Sequence, residues 1–289
     1  MTRSGSKSTL PIGVKGAPVD YDNEESLISA LHGQQFLIIT LSVMAPPDTH
    51  SKIVRAAAKA GVPYIMPNVY GYDIFDSSLF TDSPAGTKIL ENTLEVEKLG
   101  ATYIAMVCGY WYEWSLALGE ACFGFDLKNK KVIFYDKGTM RINTSTWGQC
   151  GRALAALLSL PEHGNDVEPS VSQWRNRPLY LNSFKVSQRD MLDSIHRVTG
   201  TTDADWEMSF QASEQRYKDG MQEMQNGSIA GFQKALYARA FFPNGGGDFT
   251  LTHGTANKLL RLPKEDLDQA TKRALDMAES GWNPFAHAQ

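Results

Sequence analysis

The chain has 289 residues, and its 28 Lys and Arg against 32 Asp and Glu give a formal net charge of -4. These charges are spread along the sequence with no basic stripe, so direct nucleic-acid binding and an anionic membrane surface are not expected. No apolar run approaches the roughly 18 residues needed to cross a bilayer, and Met1 to Lys7 carry charge without an apolar stretch behind them, so a cytoplasmic protein is expected.

The length suits one α/β body, or a sheet domain with a smaller cap. The three cysteines, Cys108, Cys122 and Cys150, are an odd number in apolar or small-residue contexts, which suits free thiols in a reducing compartment. Residues 24–31 have the apolar spacing of a short helix that Gly33 stops. Residues 36–41, Phe-Leu-Ile-Ile-Thr-Leu, are apolar without alternation, the pattern of a central parallel strand covered on both faces. A helix over 48–60 follows, with Ile53, Val54, Ala57 and Ala58 on one face, and Gly61-Val62-Pro63 leads into a strand at 64–67. This βαβ unit is expected to be parallel and right-handed.

Residues 68–84 read as a loop leaving the carboxyl end of a parallel strand, where open α/β sheets place ligands. It carries Tyr70, Tyr72, Phe75 and Phe80. A helix over 85–99 and a strand over 102–107 come next, and then the cluster Gly109-Tyr110-Trp111-Tyr112-Glu113-Trp114, which suits either core packing or the wall of an apolar pocket. Two short strands, 131–135 and 140–144, flank the turn residues Asp136-Lys137-Gly138. Residues 151–158 read as a helix, 161–165 as a break, and 179–181 as a strand. Ser187 and Asp190 form a capping-box pattern opening another helix. Gly245-Gly246-Gly247 reads as a turn, and 264–279 as a late amphipathic helix.

In order and spacing, these features resemble the NmrA-like and isoflavone-reductase-like group of atypical short-chain reductases, especially its fungal members. The likeness is carried by Arg3 with Lys7 and Leu10, Val19-Asp20-Tyr21-Asp22, Ser26-Leu27 through Gly33, the strand ending in Thr40, Pro67-Asn68-Val69-Tyr70-Gly71-Tyr72-Asp73, Gly109-Tyr110, Gly151-Arg152-Ala153 and the helix opening at Val186-Ser187-Gln188. The resemblance implies an incomplete Rossmann-like, mostly parallel sheet: residues 1–164 as a truncated NAD(P)-binding domain, and 165–289 as mainly a C-terminal substrate or cap lobe that shares some sheet elements. Ahead of Arg3 the family has a first strand, a glycine-rich turn and a first helix, so NADP binding is expected to be weakened here. A shortened gene model or isoform, divergence to another ligand, and a partner or dimer mate filling the strand position are the competing accounts.

The resemblance implies Arg3 as the contact for the 2′-phosphate of NADPH, Thr40, Leu41 and Ser42 along the coenzyme at one strand exit, and Pro67 and Asn68 at the next. Tyr70 and Lys88 are the catalytic candidates. Glu91 lies nearer the register of the family's lysine, and Lys88 paired with Glu91 or Glu95 on the helix surface is the alternative reading. The expected crevice brings Thr40, Asn68, Tyr70, Lys88 and Tyr110 toward the C-terminal lobe and takes a small aromatic, enone or polyketide-like metabolite. The alternative is a non-catalytic, dinucleotide-sensing or ligand-binding regulatory protein, acting as a homodimer or with a protein partner, or an inactive isoform. The six histidines and three cysteines have no metal-ligand spacing, and no Tyr-x-x-x-Lys, Gly-x-Ser-x-Gly or Walker motif occurs.

Overall fold

The computed structural model describes residues 1–6, 9–42, 45–164 and 168–284. Lys7, Asn165 and His287 therefore lie outside the described residues. The chain begins with β1 (Thr2–Arg3), β2 (Pro18–Val19), α1 (Glu24–Leu31), β3 (Phe36–Ile38), α2 (Thr49–Lys59) and β4 (Tyr64–Met66). Next come β5 (Tyr70–Gly71), α3 (Ser77–Asp82), α4 (Gly86–Lys98), β6 (Thr102–Val107), β7 (Tyr110–Trp111), α5 (Tyr112–Ala117), α6 (Glu120–Phe123), β8 (Phe125–Asp126), β9 (Lys131–Tyr135), β10 (Ile142–Ser145) and α7 (Trp147–Leu158). The remainder is β11 (Arg177–Tyr180), β12 (Phe184–Val186), α8 (Gln188–Thr199), β13 (Glu207–Gln211), α9 (Ser213–Gln225), α10 (Ile229–Ala240) and α11 (Leu267–Glu279).

Two compact units interleave along this path. The first comprises residues 1–69, 88–106 and 174–178, and the second 70–87, 107–173 and 179–289.

In the first unit the main sheet has the order β11-β6-β4-β3. β3 runs parallel to β4 with Leu37 opposite Ile65, and β4 runs parallel to β6 with Tyr64 opposite Thr102. The three strands anticipated from their apolar continuity are thus neighbours in one parallel arrangement. Phe36 and Tyr64 stack across the β3–β4 pair at 5.9 Å and 9°, an aromatic cross-strand contact that adds to the backbone ladder. Beside the sheet, α2 buries Ile53, Val54, Ala56 and Ala57, while Lys52 and Lys59 reach solvent-side carboxylates at Asp22 and Glu24. β1 and β2 form a separate two-stranded parallel sheet, with Arg3 opposite Val19. β3 ends the order of the main sheet, although its apolar pattern is that of a strand with neighbours on both sides.

The second unit holds two three-stranded sheets, β12-β10-β7 and β13-β9-β8. The two strands flanking Asp136-Lys137-Gly138 form as expected but do not pair with each other. β9 pairs with β13 and β8, whereas β10 pairs with β12 and β7. A turn signal fixes a local reversal of the chain, but the partner of each strand is decided by which apolar faces meet later. The region expected as a loop over 68–84 likewise contains β5 and α3, and Asp76 caps α3 by accepting from the N–H groups of Ser78 and Leu79. α7 begins at Trp147, four residues before the expected start, because Thr146 Oγ1 accepts from Gln149 N–H and caps it there. The capping box at Ser187 and Asp190 forms as the sequence indicates.

Gly109 joins β6 to β7. Its φ is +68°, and a Cβ built there would lie 2.1 Å from the Asn143 carbonyl oxygen, so only glycine fits. α11 is tied down by a polar contact in the core: Thr271 Oγ1 lies 2.7 Å from both Tyr112 Oη and Ser194 Oγ.

Candidate functional site

The first unit contains a cavity of about 530 Å3 lined by Met1, the 15–17 segment, Tyr21, and the whole of β3 with its exit as far as Leu41. The volume is in the range of small-molecule sites. One wall is the unpaired side of β3. Ile39 N–H donates to Met66 O at 3.0 Å, so alternation turns the neighbouring backbone donors of β3 away from β4 and toward this space. Lys15 contributes a cation to the lining. Arg3 is exposed on β1, and its carbonyl accepts from Ser6 N–H at 3.0 Å.

The exit of β3 is held in shape by Asn68 at the exit of β4. Leu41 N–H donates to Asn68 Oδ1 at 3.0 Å, and Asn68 Nδ2 donates to Leu41 O at 3.3 Å. Both backbone groups of Leu41 are thereby fixed to the neighbouring strand exit. Thr40 and Ser42 flank it and are exposed, whereas Pro67 is buried and Asn68 half-buried. The structure thus brings Thr40, Leu41, Pro67 and Asn68 together at the carboxyl end of the β3–β4 pair.

Behind Asn68 stands His50, buried at the start of α2. Its Nε2 accepts from Asn68 N–H at 3.5 Å, and its Nδ1 is buried with no hydrogen-bond partner. Burial lowers the His50 pKa to about 4, with Glu95 opposing the shift and Lys88 adding to it. The ring is neutral at pH 7. Sequence inspection placed His50 only among histidines without metal spacing; nothing in its local pattern signals that it underpins a strand exit.

Lys88 is exposed on the first turn of α4. Neither Glu91 nor Glu95 forms an ion pair with it among the described residues. Glu95 instead accepts from Ser51 Oγ and from Arg55 Nε at 3.1 Å.

In the second unit, Tyr70 is half-buried on β5, and its hydroxyl is buried without a hydrogen-bond partner. Burial raises its pKa, so the proton stays on the phenol. Tyr110 and Tyr112 are core residues whose hydroxyls reach Leu236 O and Thr271 Oγ1. Trp111 and Trp114 instead pack edge to face with Trp147 and Trp282, at centroid separations of 5.0–6.4 Å. The aromatic run at 110–114 therefore divides into a buried tyrosine half and a partly exposed tryptophan half.

A polar cluster in the second unit was not foreseen. Asp73 is buried and accepts from Phe75 N–H at 2.9 Å and from Tyr180 Oη at 3.0 Å. His253 stacks on Tyr180 at 4.5 Å and approaches Asp73 at 3.8 Å. Burial raises the Asp73 pKa against the opposing hydrogen bonds from Phe75 and Tyr180. The three residues are far apart in sequence, and only the fold joins them.

No protein-family model matches the chain. The oxidoreductase aprR of Aspergillus flavus is 24% identical over 274 residues, covering 93% of this chain and 86% of that protein. A solved isoflavone reductase superposes with a TM-score of 0.68 at 16% identity, over 89% of this chain and 80% of that one. The chain is thus similar in sequence to a fungal oxidoreductase along most of its length and shares the fold of the solved isoflavone reductase. A further solved relative in fold is the NADPH-dependent quinone oxidoreductase of Escherichia coli, in complex with NADPH, with a TM-score of 0.63 at 17% identity over 91% of this chain and 84% of that one. At such identities these superpositions show the fold, an α/β architecture with a mostly parallel sheet flanked by helices. Among the described residues no helix is long and apolar enough to cross a membrane.

Proposed function

We propose that this protein is an NADPH-dependent reductase of a small aromatic or enone metabolite, with the coenzyme held in the first unit. The observation that carries the reading is the cavity along β3, which ends at the strand exit that Asn68 clamps. Strand exits of parallel sheets are where such folds bind ligands, and the backbone there must be held rigidly for its donors to be useful.

The residues fit the coenzyme in two respects. Lys15 lines the cavity and Arg3 stands exposed on β1, so cationic groups suited to phosphate are present in the unit. Thr40 and Ser42, with Asn68, supply a small polar surface for the ribose and nicotinamide side, and Leu41 and Pro67 shape the strand exits that carry it. When bound, NADPH supplies the hydride. Lys88 is the proposed proton donor to the substrate, since its ammonium has no carboxylate partner among the described residues. The names of the oxidoreductase of Aspergillus flavus and of the solved isoflavone reductase support the reaction class.

Titration of the purified protein with NADPH, followed by absorbance at 340 nm in the presence of quinones, enones and isoflavonoids, tests this. Saturable binding with substrate-dependent oxidation is expected. Absence of binding to either NADPH or NADH would overturn the proposal. Lys88 is exposed rather than enclosed, which favours a second reading, dinucleotide sensing without turnover, because a proton donor works best where water is excluded. Tight binding with no oxidation across the panel is the outcome that reading expects.

A further inference from the structure

A second cavity, of about 470 Å3, lies wholly within the second unit and is lined by Gln149, Ser183 and the segment Asn257, Lys258, Arg261, Leu262, Pro263 and Lys264. It is a different space from the β3 cavity. Its polar neutral groups are committed elsewhere. Gln149 donates to Pro263 O at 3.0 Å and accepts from Arg152 Nε at 3.0 Å. Asn257 Nδ2 donates to Asn182 O at 2.7 Å, and Asn257 Oδ1 accepts from Asn182 N–H at 3.3 Å.

The nearby carboxylate is committed as well. Glu265 accepts from Thr146 Oγ1 at 2.8 Å, from Ser183 Oγ, and from Arg152 Nη2. Arg152 and Glu265 neutralise one another. Lys258, Arg261 and Lys264 are left as three exposed cations on one cavity wall, with no ion-pair partner among the described residues. In a chain whose net charge is -4, this is a local excess of positive charge facing an open space.

The backbone of the same wall adds an independent observation. Leu262 N–H donates to Asn257 O at 2.8 Å and Arg261 N–H to Lys258 O at 3.1 Å, the bond pair that ends a helical turn with a left-handed residue. That left-handed residue is Arg261, at φ +50°. Glycine is the residue this position ordinarily takes, because a Cβ there is strained. Lys130, Asp136 and Asn176 have a φ of the same kind, and of these four residues Arg261 is the one that lines this cavity.

We propose that this cavity is a binding site for a small phosphate-bearing molecule, with Arg261 as the principal contact and Lys258 and Lys264 as flanking cations. A guanidinium offers a planar pair of donors that matches two phosphate oxygens, and the two ammonium groups supply charge without fixed geometry. The volume exceeds that of a bare anion and leaves room for an organic body.

The test is calorimetric titration of the full chain with inorganic phosphate and with phenyl phosphate, at ionic strength held constant with sodium chloride. One-to-one saturable binding is expected, tighter for phenyl phosphate. Arg261→Gly relieves the backbone strain while deleting the contact, so its thermal midpoint without ligand is expected to rise by about 2 °C or more, and its affinity for either probe to fall at least about tenfold. Lys137→Gln, at an exposed lysine that lines neither cavity, should bind both probes as the parent does. A lower melting temperature in Arg261→Gly would show the side chain to be structural, and unchanged affinity in that variant would place the anion elsewhere; either overturns the proposal, as does the absence of saturable binding. Lys258→Gln combined with Lys264→Gln provides a variant without backbone change, expected to bind severalfold more weakly, and parent-like affinity in it counts equally against the site.

Discussion

The carboxamide of Asn68 holds both backbone groups of Leu41, accepting from its N–H at 3.0 Å and donating to its carbonyl at 3.3 Å, and so fixes one strand exit to the next. Asn68→Ala removes both bonds in a half-buried setting and is expected to cost about 1–3 kcal/mol of stability. Asn68→Asp keeps an acceptor for the N–H but turns a second oxygen toward the Leu41 carbonyl, and should be no better. Urea unfolding gives the stability, and NADPH titration should show a parallel loss of affinity. An Asn68→Ala protein with parent stability would mean that the clamp is incidental.

His50 makes stability depend on pH. Burial depresses its folded pKa to about 4 from an ordinary value of 6.5, so between those pH values the unfolded chain binds the proton and the folded chain does not. The stability conferred by the buried neutral ring is therefore complete above about pH 6.5 and is lost as pH falls toward 4, by up to about 3 kcal/mol. His50→Gln should flatten this part of the profile. Unfolding midpoints measured from pH 7.5 to 4 in both proteins provide the check, and equal slopes would refute the assignment.

Arg239 is a buried cation held by a half-exposed carboxylate. Its Nε donates to Asp82 Oδ2 at 2.7 Å, its Nη2 to Ser78 Oγ at 3.2 Å, and its guanidinium lies 4.9 Å from the Phe242 ring centroid. Asp82→Ala strands that charge and is expected to cost about 2 kcal/mol, less than a fully buried pair because Asp82 is 45% exposed. Replacing both, as Asp82→Ala with Arg239→Met, should recover a large part of the loss. If the double variant is less stable than Asp82→Ala alone, the guanidinium contributes through its other partners.

Gly109→Ala places a methyl where the Asn143 carbonyl already stands, at a left-handed φ. The conformational penalty alone is about 1–2 kcal/mol, and the clash adds to it. Low soluble yield or a thermal midpoint several degrees below the parent is expected, while Gly33→Ala, also at positive φ but in open space, should lose only the conformational part.

Much of the fold was legible because it is written in short-range pattern. The apolar runs at 36–41, 64–67 and 102–107 could satisfy their backbone and bury their side chains only as parallel strands between helices, and Ser187 with Asp190 marks a helix start whatever surrounds it. The residues at strand exits, Thr40, Leu41, Pro67 and Asn68, were likewise locatable, since a strand's end is set by the same pattern. What depends on partners distant in sequence was decided only by the tertiary structure. Alternation over 131–135 and 140–144 indicated strands but not that they enter different sheets, because pairing is settled by which faces meet. The apolar run at Phe36–Ile38 predicted a strand with two neighbours, yet β3 closes its sheet and lines a cavity. His50 beneath Asn68, and Asp73 with Tyr180 and His253, owe their character to burial and to contacts made across many residues. Desolvation and hydrogen bonding act through space, and a sequence specifies them only once it has folded.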